Sequence, residues 1–450
     1  MVHTFECLGQ HYLLDVESGS IFRTDELTAM LIEKRISPLA DAKGDFSRYG
    51  ESEIAEAERE IDELIKAGVL FTPEPEHPEP VYKGVVKALC LNIVHGCNLR
   101  CRYCFAGDGQ YHGNVDLMTP EVARKAIDFL IEKSGPRKRL EVDFFGGEPL
   151  LDMEAVKATV DYARSVEKAA GKEFRFTITT NAVALTDEDI GYINREMYNV
   201  VLSIDGRKSV HDAVRKDAGG NGSFDRVLAN ALKLVRARDP QKSYYVRGTF
   251  TAANPDFAAD ALALNDYGFG QVSLEPVVLP DGDPLALRED MIDGLKEQYE
   301  ILAREYLRRR EEGREFGFFH FNIDIYNGPC AAKRLVGCNA GDEYLAIAPN
   351  GDIFPCHRFD GEAGYKIGNV VDGTFDERLP VFFATTNLTK KETCPDCWAK
   401  YYCSGGCAAN SIQMCGDIHK PYRLGCELMK KRVECALAIA VTESAAKKTH

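Results

Sequence analysis

The sequence predicts a chain of three units whose central unit is an α/β fold, and three observations support this. From about residue 81 to 280, strand-like apolar segments alternate with amphipathic helical patterns, which is typical of parallel βα units. Short strand and helix patterns precede this region, across an acidic, proline-rich linker at 72–80. Cysteines are concentrated in the part of the chain that follows the α/β region. We therefore predict units at residues 1–80, 81–315 and 316–450.

Composition limits the class of protein. A chain of 450 residues with 45% hydrophobic residues can bury several cores. The formal net charge of −15 disfavours nucleic acid as a partner, because a phosphate backbone attracts basic surfaces. Neither a signal-peptide pattern nor an apolar run of about 18 residues is present, so we expect a cytoplasmic protein with no membrane partner. Fifteen cysteines in such a chain indicate metal binding rather than disulfides.

The first unit is predicted to form a hairpin followed by two helices. Strand patterns at 11–16 and 20–23 flank a turn at 17–19, and helical patterns follow at 24–33 and 51–67. This arrangement resembles the winged-helix modules that bind leader peptides in peptide-modifying enzymes, where the leader is added to a sheet edge. An ordinary regulatory or oligomerisation winged helix would give the same pattern.

The central unit is predicted to contain six strands, at 88–94, 141–145, 173–180, 200–205, 244–251 and 272–277. Helices are predicted between them, at 120–133, 154–170, 187–197, 224–238 and 255–267. In a parallel barrel the chemistry lies at the carboxyl ends of the strands. The polar and glycine-rich motifs of this unit fall there, among them Gly146-Gly147-Glu148-Pro149 after the second strand.

Three cysteines follow the first strand of the central unit at the spacing C-x3-C-x2-C, namely Cys97, Cys101 and Cys104. Three neighbouring thiolates suit an iron–sulfur cluster, and a four-iron cluster would keep one iron open for a small molecule. A zinc site or three unrelated thiols are the alternatives. A zinc site usually combines C-x2-C with a second pair, and no such pair follows nearby.

This cysteine motif resembles the signature of the radical S-adenosylmethionine (radical SAM) family. The resemblance implies a partial (β/α)6 barrel, a [4Fe–4S] cluster on the three cysteines, and S-adenosyl-L-methionine (SAM) beside it. Glu148 and its two glycines would contact the SAM amino group, and Arg215 would pair with the SAM carboxylate. The full set of implied SAM contacts is Tyr103, Phe105, Gly146, Gly147, Glu148, Asn181, Ser203, Asp205, Arg215 and Leu274.

Seven cysteines of the last unit stand in an order that resembles the SPASM domain of radical SAM enzymes. The resemblance implies two auxiliary [4Fe–4S] clusters, hence three clusters in all. By position, auxiliary cluster II would be held by Cys394, Cys397, Cys403 and Cys426, and auxiliary cluster I by Cys338, Cys356 and Cys407. Cys330 is a candidate for the fourth ligand of cluster I. The alternative is an iron left open for a substrate thiol, and the sequence does not decide between them.

The three units together resemble peptide maturases, most closely the sactisynthase and SCIFF-maturase group, whose thioether products include ranthipeptides. This implies that a 5′-deoxyadenosyl radical takes a hydrogen atom from a carbon of a precursor peptide. A cysteine sulfur then bonds to that carbon, and one electron returns to an auxiliary cluster. The implied partners are a cysteine-rich precursor peptide with a leader and an electron donor such as flavodoxin or ferredoxin.

Other functions are compatible with the same motifs. Within the enzymes, these are anaerobic sulfatase maturation to formylglycine, carbon–carbon crosslinking and peptide quinone-cofactor maturation. From a different class, the clusters could serve an electron carrier. The motifs at Gly146–Glu148 and at Ser203 and Asp205 disfavour an electron carrier, because such a protein needs no SAM pocket.

Overall fold

The computed structural model describes residues 1–37, 45–107, 109–111, 113, 115–323, 325 and 335–448. Its N-terminal region is a three-stranded antiparallel sheet followed by two helices. These elements are β1 (Val2–Cys7), β2 (Gln10–Asp15), β3 (Ile21–Thr24), α1 (Glu26–Ile36) and α2 (Glu51–Lys66). The predicted hairpin and both helices are present. The strand β1 was not predicted, and it pairs with β2 from Val2 opposite Asp15 to Cys7 opposite Gln10.

The N-terminal region has its own apolar core, formed where the sheet meets both helices. Leu13, Leu31 and Ile61 are among its buried members, and the apolar stripe of α2 supplies Ile54, Leu64 and Ile65. Residues 72–87 then form no helix or strand, as expected for the proline-rich linker. The opposite side of the sheet joins the main core through Phe5, Tyr12 and other residues.

The central region contains ten strands and seven helices among the described residues. The strands are β4 (Ala88–His95), β5 (Leu99–Cys101), β6 (Asp116–Leu117), β7 (Arg139–Gly146), β8 (Glu173–Thr180), β9 (Met197–Ser203), β10 (Arg215–Asp217), β11 (Ser243–Phe250), β12 (Gln271–Pro276) and β13 (Gly317–Phe318). The helices are α3 (Pro120–Lys133), α4 (Met153–Ala170), α5 (Asp187–Glu196), α6 (Lys208–Val214), α7 (Phe224–Arg236), α8 (Phe257–Asp266) and α9 (Ile292–Glu311).

Six parallel strands form the middle of a 12-stranded mixed sheet, in the order β4, β7, β8, β9, β11 and β12. They are the six predicted strands, with ends shifted by at most three residues. Every residue of β4 is buried, which explains why this strand appears in the sequence as an apolar run. The α/β class and the six βα units are therefore confirmed.

The C-terminal region continues the sheet of the barrel. Its strands are β14 (Tyr344–Ile347), β15 (Asp352–Phe354), β16 (Gly368–Asn369) and β17 (Thr374–Phe375), and β14 pairs in parallel with β4. At the other edge of the sheet, β13 pairs with β12, and β13 ends at Phe318, three residues beyond the predicted border at 315. The division at 1–80, 81–315 and 316–450 stays a prediction.

Among the described residues of the C-terminal region there are four α-helices, namely α10 (Arg378–Thr385), α11 (Lys400–Cys403), α12 (Ala408–Cys415) and α13 (Arg423–Lys448). The long α13 packs on α9 and also reaches β1 and β3 of the N-terminal sheet. It thereby links the first and the last parts of the chain. Among the described helices, none combines the length and the apolar character needed to cross a membrane.

Candidate functional site

The loop after β4 carries Cys97, Cys101 and Cys104 at the carboxyl edge of the parallel sheet. Backbone pairing fixes the loop, because β5 runs antiparallel to β10 with Cys101 opposite Arg215. The Cys104 N–H donates to the Cys101 carbonyl at 3.0 Å. The Asn181 amide, at the end of β8, lies 3.6 Å from the Cys97 sulfur. The barrel itself therefore positions the three thiols.

Burial controls the charge state of these thiols. It raises the pKa of Cys97 to about 12, together with the nearby Glu148 carboxylate. Burial also raises the pKa of Cys101 to about 11, although the Arg215 guanidinium opposes the change. Protonated thiols do not bind iron, so a bound cluster must supply the positive charge that displaces these protons.

The glycine turn after β7 packs directly against the cysteine loop. The Gly147 N–H donates to the Val94 carbonyl at 2.7 Å, and a Cβ at Gly147 would lie 2.0 Å from the Gly96 carbonyl oxygen. Gly146 has a φ of +120°, which side chains other than hydrogen disfavour. The two glycines are therefore required by the close contact between the turn and the loop.

Glu148 joins the ends of two strands. Its buried carboxylate accepts hydrogen bonds from the Thr180 hydroxyl at 2.6 Å, the Asn181 N–H at 2.7 Å and the Leu150 N–H at 3.0 Å. Burial raises the pKa of Glu148, while these donors favour the carboxylate. The predicted contact between Glu148 and the SAM amino group stays a prediction.

Asp205 lies beneath the site and organises Arg215. The Asp205 carboxylate is fully buried; it accepts from the Tyr103 hydroxyl at 2.6 Å and lies 3.0 Å from the Arg215 Nε. The Arg215 Nη1 lies 3.8 Å from the Cys101 sulfur. Arg215 therefore already has a carboxylate partner, and the predicted pairing with the SAM carboxylate stays a prediction.

A cavity of about 270 Å³ opens beside the three cysteines. It brings together most of the predicted residues, namely Cys97, Cys101, Tyr103, Cys104, Phe105, Gly146, Gly147, Glu148, Asn181, Ser203 and Arg215. Asp205 and Leu274 are not part of its lining. Leu274 is fully buried, and the neighbouring Glu275 lines the cavity instead, because successive side chains of a strand point to opposite faces.

The lining residues that were not predicted include Arg247, Thr249 and Arg358. The sequence holds a signal for Arg247, since a charged residue inside a strand that should be buried on both faces is unusual. Arg358 comes from the C-terminal region, directly after the Cys356-His357 pair. Burial, with Arg358 and Arg247, lowers the pKa of His357 to about 3, so this imidazole is neutral at pH 7.

A second cavity, of about 300 Å³, adjoins the first. The two cavities share Arg247, Glu275, Pro276, Val277, Val278 and Arg358 as lining residues. The second cavity is also lined by Cys403, Cys407 and Cys426. A single cleft therefore extends from the cysteine loop of the barrel to cysteines of the C-terminal region.

The thiols of the C-terminal region influence one another's pKa in two sets, and the assignment of these sets to two auxiliary clusters stays a prediction. Burial and the thiols of Cys403, Cys394 and Cys397 raise the pKa of Cys426 to about 12. These four sulfurs are therefore neighbours. Burial, together with the thiols of Cys407 and Cys338, likewise raises the pKa of Cys356 to about 12, and these three sulfurs form the other group. Cys330 lies outside the described residues.

The donor sets fit iron–sulfur clusters, because they contain only thiols, three or four together. Within the described part of the chain, no three His, Cys, Asp or Glu side chains are arranged to hold a single metal ion. The thiols around a four-iron cluster each bind a different iron and are therefore spaced more widely than the ligands of one ion. The first group lines the cavity of about 270 Å³ together with the glycine turn, so a ligand in this cavity would lie beside the three thiols.

Two family profiles match the chain. Residues 91–246 match the radical SAM superfamily, and residues 338–398 match SPASM, an iron–sulfur cluster-binding domain. The first match spans the strands from β4 into β11, and the second includes Cys338, Cys356, Cys394 and Cys397.

Relatives of known name are distant. The radical SAM cyclopropyl synthase TigE of Paramaledivibacter caminithermalis is 24% identical over 430 residues, which cover 88% of this chain and 85% of TigE. The cysteine-type anaerobic sulfatase-maturating enzyme of Clostridium novyi is 23% identical over 332 residues, covering 70% of this chain and 85% of that enzyme.

Solved structures share the fold. Native anSMEcpe with bound AdoMet superimposes on this chain with a TM-score of 0.64 at 17% sequence identity. The match covers 80% of this chain and 99% of the anSMEcpe chain. Streptococcus suis SuiB bound to precursor peptide SuiA gives a TM-score of 0.53 at 16% sequence identity, and the match covers 94% of this chain and 98% of the SuiB chain. With the two matched domains, the cysteine-lined cleft and these structural neighbours, the chain has a radical SAM fold followed by a SPASM domain.

Proposed function

We propose that this protein forms intramolecular thioether crosslinks in a cysteine-rich, ribosomally made precursor peptide, from a cysteine sulfur to a carbon of an acceptor residue. The observation that supports this most is the cleft shared by the two cavities. A peptide in this cleft would lie between the site of hydrogen removal and a site where a sulfur can be held. Both ends are needed to join carbon and sulfur.

The chain would hold three [4Fe–4S] clusters and SAM. Cys97, Cys101 and Cys104 would hold the first cluster, and the other predicted cysteines the two auxiliary clusters. When bound, the first cluster and SAM supply the removal of a hydrogen atom from an unactivated carbon. The predicted SAM contacts that line the first cavity would orient SAM there, with Glu148 and Asn181 fixing the strand ends around it.

An aromatic wall shields the cleft. The rings of Phe145 and His357 lie 4.8 Å apart between centroids, and Phe105 lies 5.5 Å from His357. Val277 and Val278 add apolar surface where the two cavities meet. Excluding water and stray hydrogen donors protects a reactive carbon centre until the new bond forms.

The substrate thiol is proposed to occupy the fourth ligand position of auxiliary cluster I. Cys407 is one of the three predicted ligands of this cluster and lines the second cavity. The sulfur of a peptide in the cleft would therefore lie close to the cluster. Holding the sulfur there lowers the pKa of the substrate thiol and orients it toward the carbon. If Cys330 is not a ligand, Cys330→Ala will retain its iron content and most of its crosslinking activity.

The N-terminal region is proposed to bind the leader of the precursor. Its sheet order of β1, β2 and β3 places β1 and β3 at the edges, and an extended peptide can be added to such an edge. An electron donor such as flavodoxin or ferredoxin would reduce the clusters. The similarity to SuiB, which was solved in complex with its precursor peptide SuiA, supports a peptide substrate.

A second candidate is oxidation of a cysteine or serine to formylglycine, favoured by the similarity to sulfatase-maturating enzymes. Carbon–carbon crosslinking is a third. The experiment that separates them incubates the reconstituted protein with SAM, a reductant and candidate cysteine-rich peptides taken from the small open reading frames that neighbour its gene. We expect release of 5′-deoxyadenosine and a loss of two hydrogens per crosslink, with fragment ions joining a cysteine to another residue.

The control is the same peptide with its cysteines changed to serine, which should not be crosslinked. Loss of the cysteine sulfur with formation of an aldehyde would support formylglycine formation instead. A crosslink that leaves all cysteine thiols free to alkylation would support carbon–carbon bonding.

A further inference from the structure

We propose that Arg247 and Arg358 form a subsite for the carboxylate of an acidic side chain in the substrate peptide. This rests on the proposed function, since it assigns a specificity to the same cleft. Arg247 belongs to β11 of the barrel, and Arg358 belongs to the segment after Cys356. Both line both cavities, so the subsite lies between the radical site and the auxiliary cysteines.

Arg247 is an exposed arginine on the wall of the cleft. Within the part of the chain that the structure describes, it has neither an ion pair nor a hydrogen bond to any side chain. Arg215, which also lines the first cavity, differs in this respect, because its Nε lies 3.0 Å from the Asp205 carboxylate. The guanidinium of Arg247 is therefore available to a ligand that enters the cleft.

Arg358 is held by groups that do not neutralise it. Its guanidinium lies over the ring of Phe105, 5.2 Å from the ring centroid, and its terminal nitrogens contact the amides of Asn410 and Gln413. Its Nε is buried and has no hydrogen-bond partner. A buried guanidinium donor without an acceptor is costly, which indicates that an acceptor binds there.

Glu275 is the carboxylate on this wall of the cleft, and it is already paired with His320 and Arg432. One of its oxygens lies 2.9 Å from the His320 Nε2 and the other lies 3.5 Å from Arg432. Burial opposes its ionisation, but His320, Arg432 and Arg247 outweigh burial and lower the pKa of Glu275 to about 2. The lining of the second cavity therefore contains one carboxylate and three arginines, namely Arg247, Arg358 and Arg432, so this part of the cleft has an excess of positive charge.

A carboxylate complements such a pair of guanidinium groups, which donate in fixed, forked directions. Two other anions are candidates, the carboxylate of SAM and the thiolates of the auxiliary clusters. The peptide is favoured over SAM because those predicted SAM contacts that line a cavity, Arg215 included, line the first cavity alone, whereas Arg247 and Arg358 line both. It is favoured over the thiolates because Arg247 is on the barrel wall and open to the cleft.

The test uses the precursor peptide encoded beside the gene, with each acidic residue of its core changed singly to the matching amide. For one position, we expect kcat/KM to fall roughly tenfold to a hundredfold, as for the loss of a hydrogen bond to a charged group. The same peptide change should have little further effect in Arg247→Gln or Arg358→Gln, because the pair is already broken. Arg378→Gln, an exposed arginine outside the cleft, is the matched control.

A charge exchange sharpens the test. A lysine at the sensitive peptide position should be processed better by Arg247→Glu than by the unaltered enzyme. SAM affinity and the EPR spectrum of the auxiliary clusters are measured without peptide for each variant. Weaker SAM binding would assign the arginines to the SAM carboxylate, and altered cluster spectra would assign them to the thiolates. Either result would overturn the proposal.

Equal kcat/KM for every acid and amide peptide would also overturn it, as would a precursor with no acidic residue in its core. If the unaltered precursor is not modified at all, the proposed function fails. The subsite is then judged by binding alone, from the affinities of the acid and amide peptides for the SAM-loaded protein. Equal affinities would count against it.

Discussion

The two ends of the cleft both present cysteines, but the fold holds them differently. At the barrel end, the loop of Cys97 lies between the carboxyl ends of long parallel strands and is fixed by the β5–β10 pair. At the C-terminal end, most of the cysteines lie on loops and on short elements such as the four-residue α11, and Cys426 lies in the first turn of the long α13. The comparison teaches that the barrel organises its thiols by its own packing, whereas we expect the auxiliary thiols to depend on the clusters that they would bind.

Removing the clusters with an oxidant and a chelator tests this difference most strongly. We expect backbone amides of residues 394–426 to lose protection from hydrogen exchange, because cluster binding supplies much of the folding energy of such regions. The amides of β7 and β8 should stay protected. If both regions lost protection at the same rate, the barrel would depend on the clusters as much as the C-terminal cysteine region does.

Changing Cys97, Cys101 and Cys104 together to Ala should remove the first cluster and nothing else. We expect about a third of the iron to be lost, and all SAM cleavage with it, while the exchange pattern of the barrel strands stays the same. Iron content and 5′-deoxyadenosine release check this. SAM cleavage that persists in the triple variant would contradict the placement of the radical site.

Lys400 tests how the C-terminal end is supported from outside. This fully buried lysine, between Cys397 and Cys403, lies 3.0 Å from Glu17 of the N-terminal region and 2.6 Å from Glu74 of the linker. Lys400→Met removes the nearest cation of the buried Glu17, which should cost about 3–5 kcal/mol of the free energy of unfolding. Thermal or denaturant unfolding measures it.

The control is Lys390→Met, which removes an exposed pair with Glu79 and should cost less than about 1 kcal/mol. If both variants lose the same stability, the junction between the N-terminal region and the cysteine loop contributes nothing specific.

Gly147→Ala tests the fit of the barrel end. The new Cβ would lie 2.0 Å from the Gly96 carbonyl oxygen, so the turn must move away from the cysteine loop, at about 1–3 kcal/mol. We expect weaker SAM binding, measured by equilibrium titration. Gly294→Ala in α9, where no atom lies within 4 Å, should instead raise stability by about 0.5–1 kcal/mol. Unchanged SAM affinity in Gly147→Ala would contradict a role for the turn.

The sequence by itself determined the six βα units of the barrel. Strand β4, which is buried at every residue, appears as an apolar run, whereas β7 and β8 bury alternate residues. The helices between the strands follow a 3.6-residue period, so all six units could be located. Cys97, Cys101 and Cys104 are close together in the sequence, and because they lie on one short loop they are also close together in the fold. The two auxiliary groups followed from the resemblance to a domain with the same cysteine order.

Tertiary structure alone decided which residues meet in the cleft. Leu274 and Glu275 are adjacent, and only the register of β12 directs the second into the cavity and the first into the core. Arg215 was expected to be free for a ligand, but the pairing of β10 with β5 brings it to Asp205. Arg358 joins Arg247 because β14 adds to β4. Contacts between residues far apart in sequence depend on such strand pairing, which no local pattern encodes.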